Sequence, residues 1–456
     1  LSWVEPDRRI LELAAARGLD ARAIADSPYR FLATTEDVYS VIAFDHVFDG
    51  GGAATESYLL TRQGLVAALS RLDDNGLLAI PLKLDYPPRQ GPRMMTMLAA
   101  SLRASGVDRP GDHVVVLRGM QALLLLASPR PFAETELEAI GRFAEQWSFD
   151  RAWHTGLEIS GANQHHLLDE PVYFKAAQAA FEGTAMPEQA QWFETRPATL
   201  NRPYFWHAMK WSRLSELFQV LGSRAASYLD WTLVMSAVAL VAAAFAAAAL
   251  IIAPLGRMPQ AAGVFRRIDV IGYFGLLGLG FMLVELAVLQ RSIAFLELPV
   301  LAAAVIFAVF MVGAGLGSAM LPASPGAPAI RPVFSAMAIG TMIAVTALWW
   351  PGQALLELEF VPRVAMLVGV LLPLTWAMGR PFPWGLQQLS TTPIWLPWSW
   401  AVNGFSSVLA ASMATLLSVQ AGQAATLIVG IGCYAGAWLI ARRRLLPASN
   451  PALEFA

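Results

Sequence analysis

Two short apolar runs in the first part of the chain each end in an acidic residue. Leu1 to Val4 has the pattern of the end of a buried strand and is followed by Glu5, and Tyr39 to Phe44 is followed in the same way by Asp45. In doubly wound α/β sheets, a carboxylate at such a strand end binds ribose hydroxyls. The pattern therefore indicates a ligand-binding edge of an α/β sheet.

These carboxylates also have a purely structural explanation. Glu5 could interact favourably with the dipole of the helix that follows it. Asp45 and Asp49 lie beside the glycine cluster Gly50 to Gly52, where Asp is common for backbone reasons alone. Both explanations stay open for each residue.

Basic and histidine side chains offer two further candidates. The pair His165-His166 has no acidic or Cys ligand at a recognisable metal-site spacing, so we interpret it as part of a loop and expect no metal. Arg89 and Arg93 could steer an anionic ligand. Solvated positions at the start of a helix are the commoner explanation for such arginines.

Strand and helix patterns alternate through the first half of the chain, and these elements must position the acidic residues. Apolar periodicity predicts a helix from Asp7 to Arg17, a strand from Tyr39 to Phe44, a helix from Glu56 to Leu72, a turn at Asn75-Gly76, a strand from Leu77 to Leu82, a helix from Arg93 to Ser105, strands from His113 to Leu117 and from Ala122 to Ala127, and a helix from Glu134 to Gln146. The last two strands have the pattern of an antiparallel hairpin. This order predicts an α/β sheet with one antiparallel edge.

Several segments of the chain share their sequence pattern with a known family. Those that resemble the central strand, helix and strand of the spermidine synthase family are Val38 to Asp45, Glu56 to Thr61 and Leu72 to Ile80. Those that resemble membrane proteins in which such a domain is joined to transmembrane helices are Asn201 to Trp206, Gly278 to Glu285, Met378 to Pro383 and Trp400 to Gly404. The resemblance covers nearly the whole chain. It implies a Rossmann-like, methyltransferase-type α/β domain whose first strand and glycine-rich loop would precede Leu1.

The resemblance also implies a binding site for an adenosyl sulfonium nucleoside, which would be S-adenosylmethionine or decarboxylated S-adenosylmethionine. Glu5 would bind the ribose hydroxyls, and Asp26 would lie near the adenine amino group. Asp45 would accept the proton of the attacking amine, with Asp49 as the second catalytic candidate. The chain departs from the family pattern in two places. The spacing around Asp26 differs by one residue, and His46 to Gly52 lacks the Asp-Pro and Gly-Pro pairs of polyamine synthases.

Composition divides the chain into four regions. Residues 1–148 are predicted to form the α/β domain, 149–227 an aromatic-rich linker, 228–445 a transmembrane helical domain, and 446–456 a tail. The linker is too apolar to be disordered, and we expect it to pack on the membrane surface or against the sheet. Aromatic side chains that would suit an interfacial belt, although core packing explains some of them equally well, are Trp192, Tyr204, Trp206, Trp211 and Trp231.

About seven apolar stretches are long enough to cross a lipid bilayer. They lie near Trp231 to Leu255, Val270 to Leu289, Leu301 to Leu321, Val333 to Trp350, Val364 to Met378, Trp398 to Leu417 and Thr426 to Ala441. We therefore expect an integral protein of the plasma or inner membrane with an all-α bundle. Within the second stretch, Glu285 is a carboxylate in a costly position, and it indicates either a functional site or a polar contact between helices.

The short loops predict an orientation. An odd number of spans puts the soluble domain and the carboxyl terminus on opposite faces, and most loop arginines fall on the carboxyl-terminal side, against Arg291 and Arg363 on the other. The positive-inside rule then places the carboxyl terminus in the cytoplasm and the soluble domain outside. Adenosyl sulfonium nucleosides are cytosolic, so the resemblance favours the other face. The sequence leaves the face of the soluble domain open.

Composition excludes several classes of protein. Lys and Arg are scattered and form no basic face, so we expect no nucleic-acid partner. Cys433 is the only cysteine, which excludes disulfides within the chain and Cys-based metal sites. Three hypotheses remain: transfer of an aminopropyl or methyl group from an adenosyl sulfonium donor, a catalytically silent accessory or scaffold subunit that binds other membrane protein subunits, and a transporter with a sensing domain.

Overall fold

The computed structural model divides into two compact units, Leu1–Val234 and Met235–Ala456. It describes residues 1–18, 21–44, 56–253, 267–296, 298–321, 330–349, 352–389 and 394–445. The N-terminal unit contains a mixed sheet with helices, and the C-terminal unit is helical and apolar. The predicted combination of a sheet-containing region with a helical membrane region is confirmed at this level.

Seven strands and eight helices form the regular part of the N-terminal unit in the described residues, before the first membrane helix. The strands are β1 Ser2–Val4, β2 Arg22–Ile24, β3 Tyr39–Ala43, β4 Leu72–Lys83, β5 Val114–Arg118, β6 Ala122–Ala127 and β7 Asp150–Trp153. The helices are α1 Arg8–Ala16, α2 Pro28–Thr34, α3 Arg62–Ser70, α4 Gln90–Ala104, α5 Glu134–Gln146, α6 Val172–Glu182, α7 Glu188–Gln191 and α8 Leu214–Leu221.

The strands form two sheets. β1 pairs with β2 in parallel, and the other five strands follow the order β3-β4-β6-β5-β7. β3 and β4 are parallel, whereas β6 is antiparallel to both β4 and β5, and β7 is antiparallel to β5. The predicted hairpin and the mixed character of the sheet are therefore confirmed. Helix α5 has the bounds that its periodicity predicts.

The predicted turn at Asn75-Gly76 is wrong. β4 runs through it as a single strand of 12 residues. The pairing absorbs the extra residues in a bulge, because two steps along β3, from Tyr39 to Val41, match five along β4, from Leu72 to Leu77. The Asp73 carboxylate accepts hydrogen bonds from the Ser40 hydroxyl at 2.8 Å and from the Asn75 amide at 3.0 Å. These contacts satisfy polar groups that the bulge removes from the ladder.

Helix α3 is shorter than predicted because a capping residue sets its start. Thr61 is the N-cap, and its hydroxyl accepts the Gly64 amide at 3.1 Å and donates to the Tyr58 carbonyl at 2.7 Å. The residues from Glu56 to Leu60 consequently precede the helix. Such a cap contributes about 1 kcal/mol and fixes where the chain enters the helix.

Arg93 is the most consequential side chain of α4. It is 1% exposed, so neither of the roles considered for it, a solvated position or an anion-steering group, is correct. Its Nη1 atom donates to the carbonyl oxygens of Tyr204, Phe205 and His207 at 3.0, 2.6 and 2.7 Å, and its Nε atom donates to that of Arg196 at 3.2 Å. Burial lowers the pKa of this guanidinium to about 9. Arg93 therefore holds the segment from Arg196 to His207 against α4.

The aromatic residues of the linker divide between core and surface. Trp192 and Tyr204 are 7% and 2% exposed, and Trp192 packs in a cluster with Phe193 and Leu217. Trp211 and Trp231 are 41% and 53% exposed. The expectation of an interfacial belt is therefore wrong for Trp192 and Tyr204, because both fill the interior of the N-terminal unit.

The membrane region contains six helices that are long and apolar enough to cross a bilayer, counted among the described residues. These candidate spans are Trp231–Leu250, Arg267–Leu296, Pro299–Ala319, Phe360–Gln388, Trp395–Ala421 and Gln423–Arg443. A shorter apolar helix, Phe334–Trp349, lies at the remaining predicted stretch. The chain is therefore an integral membrane protein.

The described helices of the membrane region are α9 Trp231–Ala247, α10 Arg267–Leu296, α11 Pro299–Ala319, α12 Ile330–Trp349, α13 Gly352–Glu357, α14 Phe360–Met378, α15 Pro381–Gln388, α16 Trp395–Ala421 and α17 Gln423–Ile440.

Contacts within the C-terminal unit give the relative directions of its helices. α10 and α16 are parallel, since Asn403 donates to the Phe274 carbonyl near their starts and Ser418 donates to Gln290 near their ends. α17 is antiparallel to α10, because the end of α17 packs against the start of α10 at Gly272. Glycines permit the close approach: a Cβ at Gly278, Gly313 or Gly317 would clash with Asn403, Thr375 or Trp376 respectively.

Replacing Arg93 with methionine tests its role. Arg93→Met leaves four buried carbonyl oxygens without their donor, and we expect the stability of the N-terminal unit to fall by about 3 kcal/mol. The measurement is the urea concentration at which this unit becomes sensitive to protease in the full chain. Arg89→Met is the matched control, because Arg89 lies one turn earlier and contacts Gln90 and Asp85 rather than the carbonyls. Equal losses for the two variants would contradict the assignment.

Candidate functional site

Glu5 and Asp26 follow two neighbouring parallel strands. Glu5 comes directly after β1, and its amide donates to the Ile24 carbonyl of β2 at 3.0 Å. Its side chain is buried, at 6% exposure, and its carboxylate accepts the Asp7 amide at 3.0 Å. Asp26 follows β2 by one residue, so both carboxylates lie at the same edge of the sheet. The carboxyl ends of parallel strands are where α/β folds bind ligands.

Asp26 already has strong partners. Its carboxylate accepts the Ser27 amide at 2.8 Å and the Arg30 guanidinium at 2.7 Å, and the Arg30 and Asp26 side chains are 19% and 13% exposed. An ionised carboxylate has room for about four hydrogen bonds. A ligand amino group at Asp26 would therefore bind a neutralised ion pair rather than an isolated charge.

The two predicted catalytic residues, Asp45 and Asp49, lie outside the described residues. The chain can be followed to Phe44, whose amide extends the β3–β4 ladder to the Ala79 carbonyl at 3.0 Å. It can be followed again from Glu56. The roles of Asp45 and Asp49 stay predictions.

Glu56 is a candidate that periodicity did not indicate. Burial raises the pKa of its carboxyl to about 7, while a hydrogen bond from the Tyr204 hydroxyl, at 3.2 Å, opposes the rise. The Ser57 amide donates to the Pro203 carbonyl at 2.7 Å, which fixes the backbone beside it. Glu56 thus contacts the Asn201 to Trp206 motif directly. A carboxylate with such a pKa is suited to accept a proton at neutral pH.

A second acidic group lies at the end of β4. Burial raises the pKa of Asp85, and Arg89, whose Nε atom is 3.8 Å from the Asp85 carboxylate, opposes the rise. The Tyr173 hydroxyl donates to the Asp85 carbonyl, and the Tyr228 hydroxyl donates to the next carbonyl, that of Tyr86, at 2.5 Å. Two phenols from the later part of the unit therefore fix this strand end.

The first turn of α4 links these groups. Arg89 lies near Asp85, and Arg93, four residues later and on the same side of the helix, binds the carbonyl of Tyr204, whose hydroxyl binds Glu56. Glu56 and Asp85 are thus each connected to this helix, Glu56 through Tyr204 and Asp85 through Arg89. A carboxyl whose pKa is raised towards neutrality can accept a proton from an amine.

The histidines do not form a metal site in the described residues. No group of three or more His, Cys, Asp or Glu side chains is placed to hold a metal ion among them. The loop that contains His165 and His166 is instead fixed by Asp150, whose carboxylate accepts the amides of Gln164, His165 and His166 at 2.6, 2.8 and 2.9 Å. Asp150 is in turn ion-paired with buried Arg118 at 2.7 Å. The loop is thus fixed through backbone amides.

Glu285 is buried in α10, at 6% exposure. It takes part in no hydrogen bond or ion pair with the part of the chain that the structure describes. Its neighbours Leu283 and Val284 pack against Gly430 of α17. Tyr434 of α17 interacts electrostatically with Glu285, and the choice between a functional site and a polar contact between helices stays a hypothesis.

Comparisons of the chain with protein-family models, with curated proteins and with solved structures gave no match. The resemblance to the spermidine synthase family therefore depends on the sequence motifs alone.

Glu56→Gln tests the environment of the carboxyl. The raised pKa means that the native state favours the protonated form of Glu56. Ionisation of this carboxyl should therefore lower the free energy of unfolding as the pH rises from about 4.5 through 7. We expect the variant to match the parent chain near pH 4.5 and to become more stable above pH 7, by up to about 3 kcal/mol.

The measurement is the difference in unfolding midpoint between the two chains from pH 4.5 to 9. Glu12→Gln is the control, because Glu12 is exposed on α1. Tyr204→Phe removes the opposing hydrogen bond and should move the transition to higher pH. A parent-variant difference that does not change with pH would show that Glu56 is an ordinary solvated carboxylate.

Proposed function

We propose that the N-terminal unit binds an adenosyl sulfonium nucleoside, S-adenosylmethionine or its decarboxylated form, and transfers its methyl or aminopropyl group to an amine. The observation that carries this proposal is the position of Glu5 and Asp26 after adjacent parallel strands, together with the near-neutral pKa of Glu56. Acceptor-only carboxylates match ribose hydroxyls and an adenine amino group, which are donors.

The sheet supports the same reading. β1 and β2 are parallel, and so are β3 and β4. The β5–β6 hairpin joins the sheet on the far side of β4 from β3, so the parallel and antiparallel pairs are separated as the sequence predicts.

The residues have distinct roles in this proposal. The donor supplies a carbon made electrophilic by its positive sulfur. Glu5 and Asp26 orient the nucleoside through its hydroxyl and amino groups. Glu56 accepts the proton of the attacking ammonium, so that the nitrogen lone pair can form the new carbon–nitrogen bond while the carbon–sulfur electrons leave with sulfur. Asp45 is the alternative acceptor of that proton, as the resemblance implies, and Asp49 stays the second catalytic candidate.

A catalytically silent accessory or scaffold subunit is the second candidate. Two observations favour it: the ion pair of Asp26 with Arg30 and the directions of the helices. In the described residues, α10, α11, α12, α14, α16 and α17 alternate in direction. With α9, the number of crossings is odd if the shorter apolar helix Phe334–Trp349 spans the bilayer as the six longer candidate spans do. If the arginines at the end of α17 lie in the cytoplasm, the N-terminal unit lies outside, away from an adenosyl donor.

Calorimetric titration of the full-length chain tests the proposed function. We expect micromolar binding of S-adenosylmethionine or its decarboxylated form, and a loss of at least tenfold in Glu5→Ala, because this change removes the acceptor for the ribose hydroxyls. Glu12→Ala, at an exposed position of α1, is the matched control and should bind like the parent chain. Absence of heat with both nucleosides would refute the proposal and favour the scaffold.

A further inference from the structure

Among the side chains that the structure describes, the arginines of the C-terminal unit that are not fully buried share one end of its helices. The Tyr273 hydroxyl, in the second turn of α10, donates to the Pro381 carbonyl at the start of α15 at 2.7 Å. Gly272 contacts Ile440 at the end of α17. The start of α10, the start of α15 and the end of α17 therefore lie together. The arginines of this arginine end are Arg267, Arg380, Arg442 and Arg443.

The opposite end has no comparable set of cations in the described residues. Arg291 and Arg363 lie there but are 5% and 2% exposed, so they cannot act as the loop charges that the sequence predicts. Arg291 donates to the Leu348 carbonyl at 2.9 Å, and Arg363 donates to the Phe295 carbonyl at 2.6 Å. The exposed charges at this end are Glu357 and Glu359. The C-terminal unit therefore has a positive end and a negative end.

Two of the arginines are stacked on indole rings. The guanidinium carbon of Arg380 lies 4.0 Å from the ring centre of Trp376, and that of Arg442 lies 5.5 Å from that of Trp438. The Nε atom of Arg380 is buried and has no hydrogen-bond partner in the described part of the chain. Stacking occupies the face of a guanidinium and leaves its N–H edge for an anion.

The height of these pairs along the helices is that of a lipid headgroup. α14 has 19 residues, which corresponds to about 28 Å at helical rise, close to the thickness of the hydrocarbon core. Arg380 follows its last residue by two positions, and Arg442 follows the last residue of α17 by two. α15 packs against both the start of α10 and residues 441–445. Both guanidinium groups thus lie just beyond the end of an apolar helix, where the phosphates of a bilayer spanned by these helices would be.

We propose that the arginine end binds the phosphate groups of anionic phospholipids through Arg380 and Arg442, with Trp376 and Trp438 holding the two guanidinium groups in position. The charge of the ligand matches the four arginines, and the negative end excludes the same lipids from the opposite side. This binding is independent of the function of the N-terminal unit.

Native mass spectrometry of the full-length chain tests this proposal. Phosphatidylglycerol should bind at least tenfold more tightly than phosphatidylcholine. Arg380→Gln combined with Arg442→Gln should weaken phosphatidylglycerol binding about thirtyfold, at roughly fivefold per arginine near the surface. Arg224→Gln, at an exposed arginine of the N-terminal unit, is the charge-matched control and should change nothing.

Two further measurements keep the test decisive. Arg442→Gln alone affects an exposed residue and should retain the fold, so a fivefold loss is expected even if the double variant does not fold. Equal affinity for the two lipids, or an unchanged affinity in the Arg442→Gln chain, would overturn the proposal. Complete displacement by an equal concentration of inorganic phosphate would also overturn it, because the site would then recognise a free anion rather than a lipid.

Discussion

The burial of one positive charge organises the N-terminal unit. Arg93 enters the interior from α4, and because an isolated buried charge is very costly, its donors must all find acceptors. The acceptors are carbonyl oxygens of the segment from Arg196 to His207, more than a hundred residues along the chain. Once that segment is fixed, the Tyr204 hydroxyl reaches Glu56, and the position of this carboxyl follows. The position of Glu56, the candidate proton acceptor, thus depends on the hydrogen bonds of Arg93, which Glu56 does not itself contact.

Other buried arginines of the described residues also donate to carbonyl or carboxylate oxygens. Arg118 is buried against Asp150, which collects three amides of the histidine loop, and Arg291 and Arg363 bind backbone carbonyls within the membrane region. Guanidinium groups suit this use because five donors in a rigid plane can bind several acceptors at once. The remaining arginines of the C-terminal unit are then left as its surface charge. The division between buried and exposed arginines therefore determines both the internal order of each unit and the field at its end.

Local patterns predicted the elements better than the site. The periodicity of Glu134 to Gln146 gives the bounds of α5, and the spacing of two apolar runs around Gly119 gives the hairpin, because both depend on near neighbours. Asn75-Gly76 was misleading, since Asp73 stabilises a bulge within β4 where a turn would end the strand. Arg93 and Glu56 could not be found in this way, because their partners are distant in sequence. The Glu56 to Thr61 and Asn201 to Trp206 motifs each contain a part of that network, but neither motif indicated the contact between them.

The central claim is that the N-terminal unit binds a cytosolic nucleoside, and the face of the membrane on which it lies tests this most directly. Cys433 is the only cysteine and is buried, so a single cysteine introduced at Met120, which is 75% exposed, can be labelled selectively in a Cys433→Ala background. In sealed vesicles of known orientation, the account predicts that a membrane-impermeant maleimide reacts with Met120→Cys from the cytoplasmic side. Reaction only from the opposite side would contradict it.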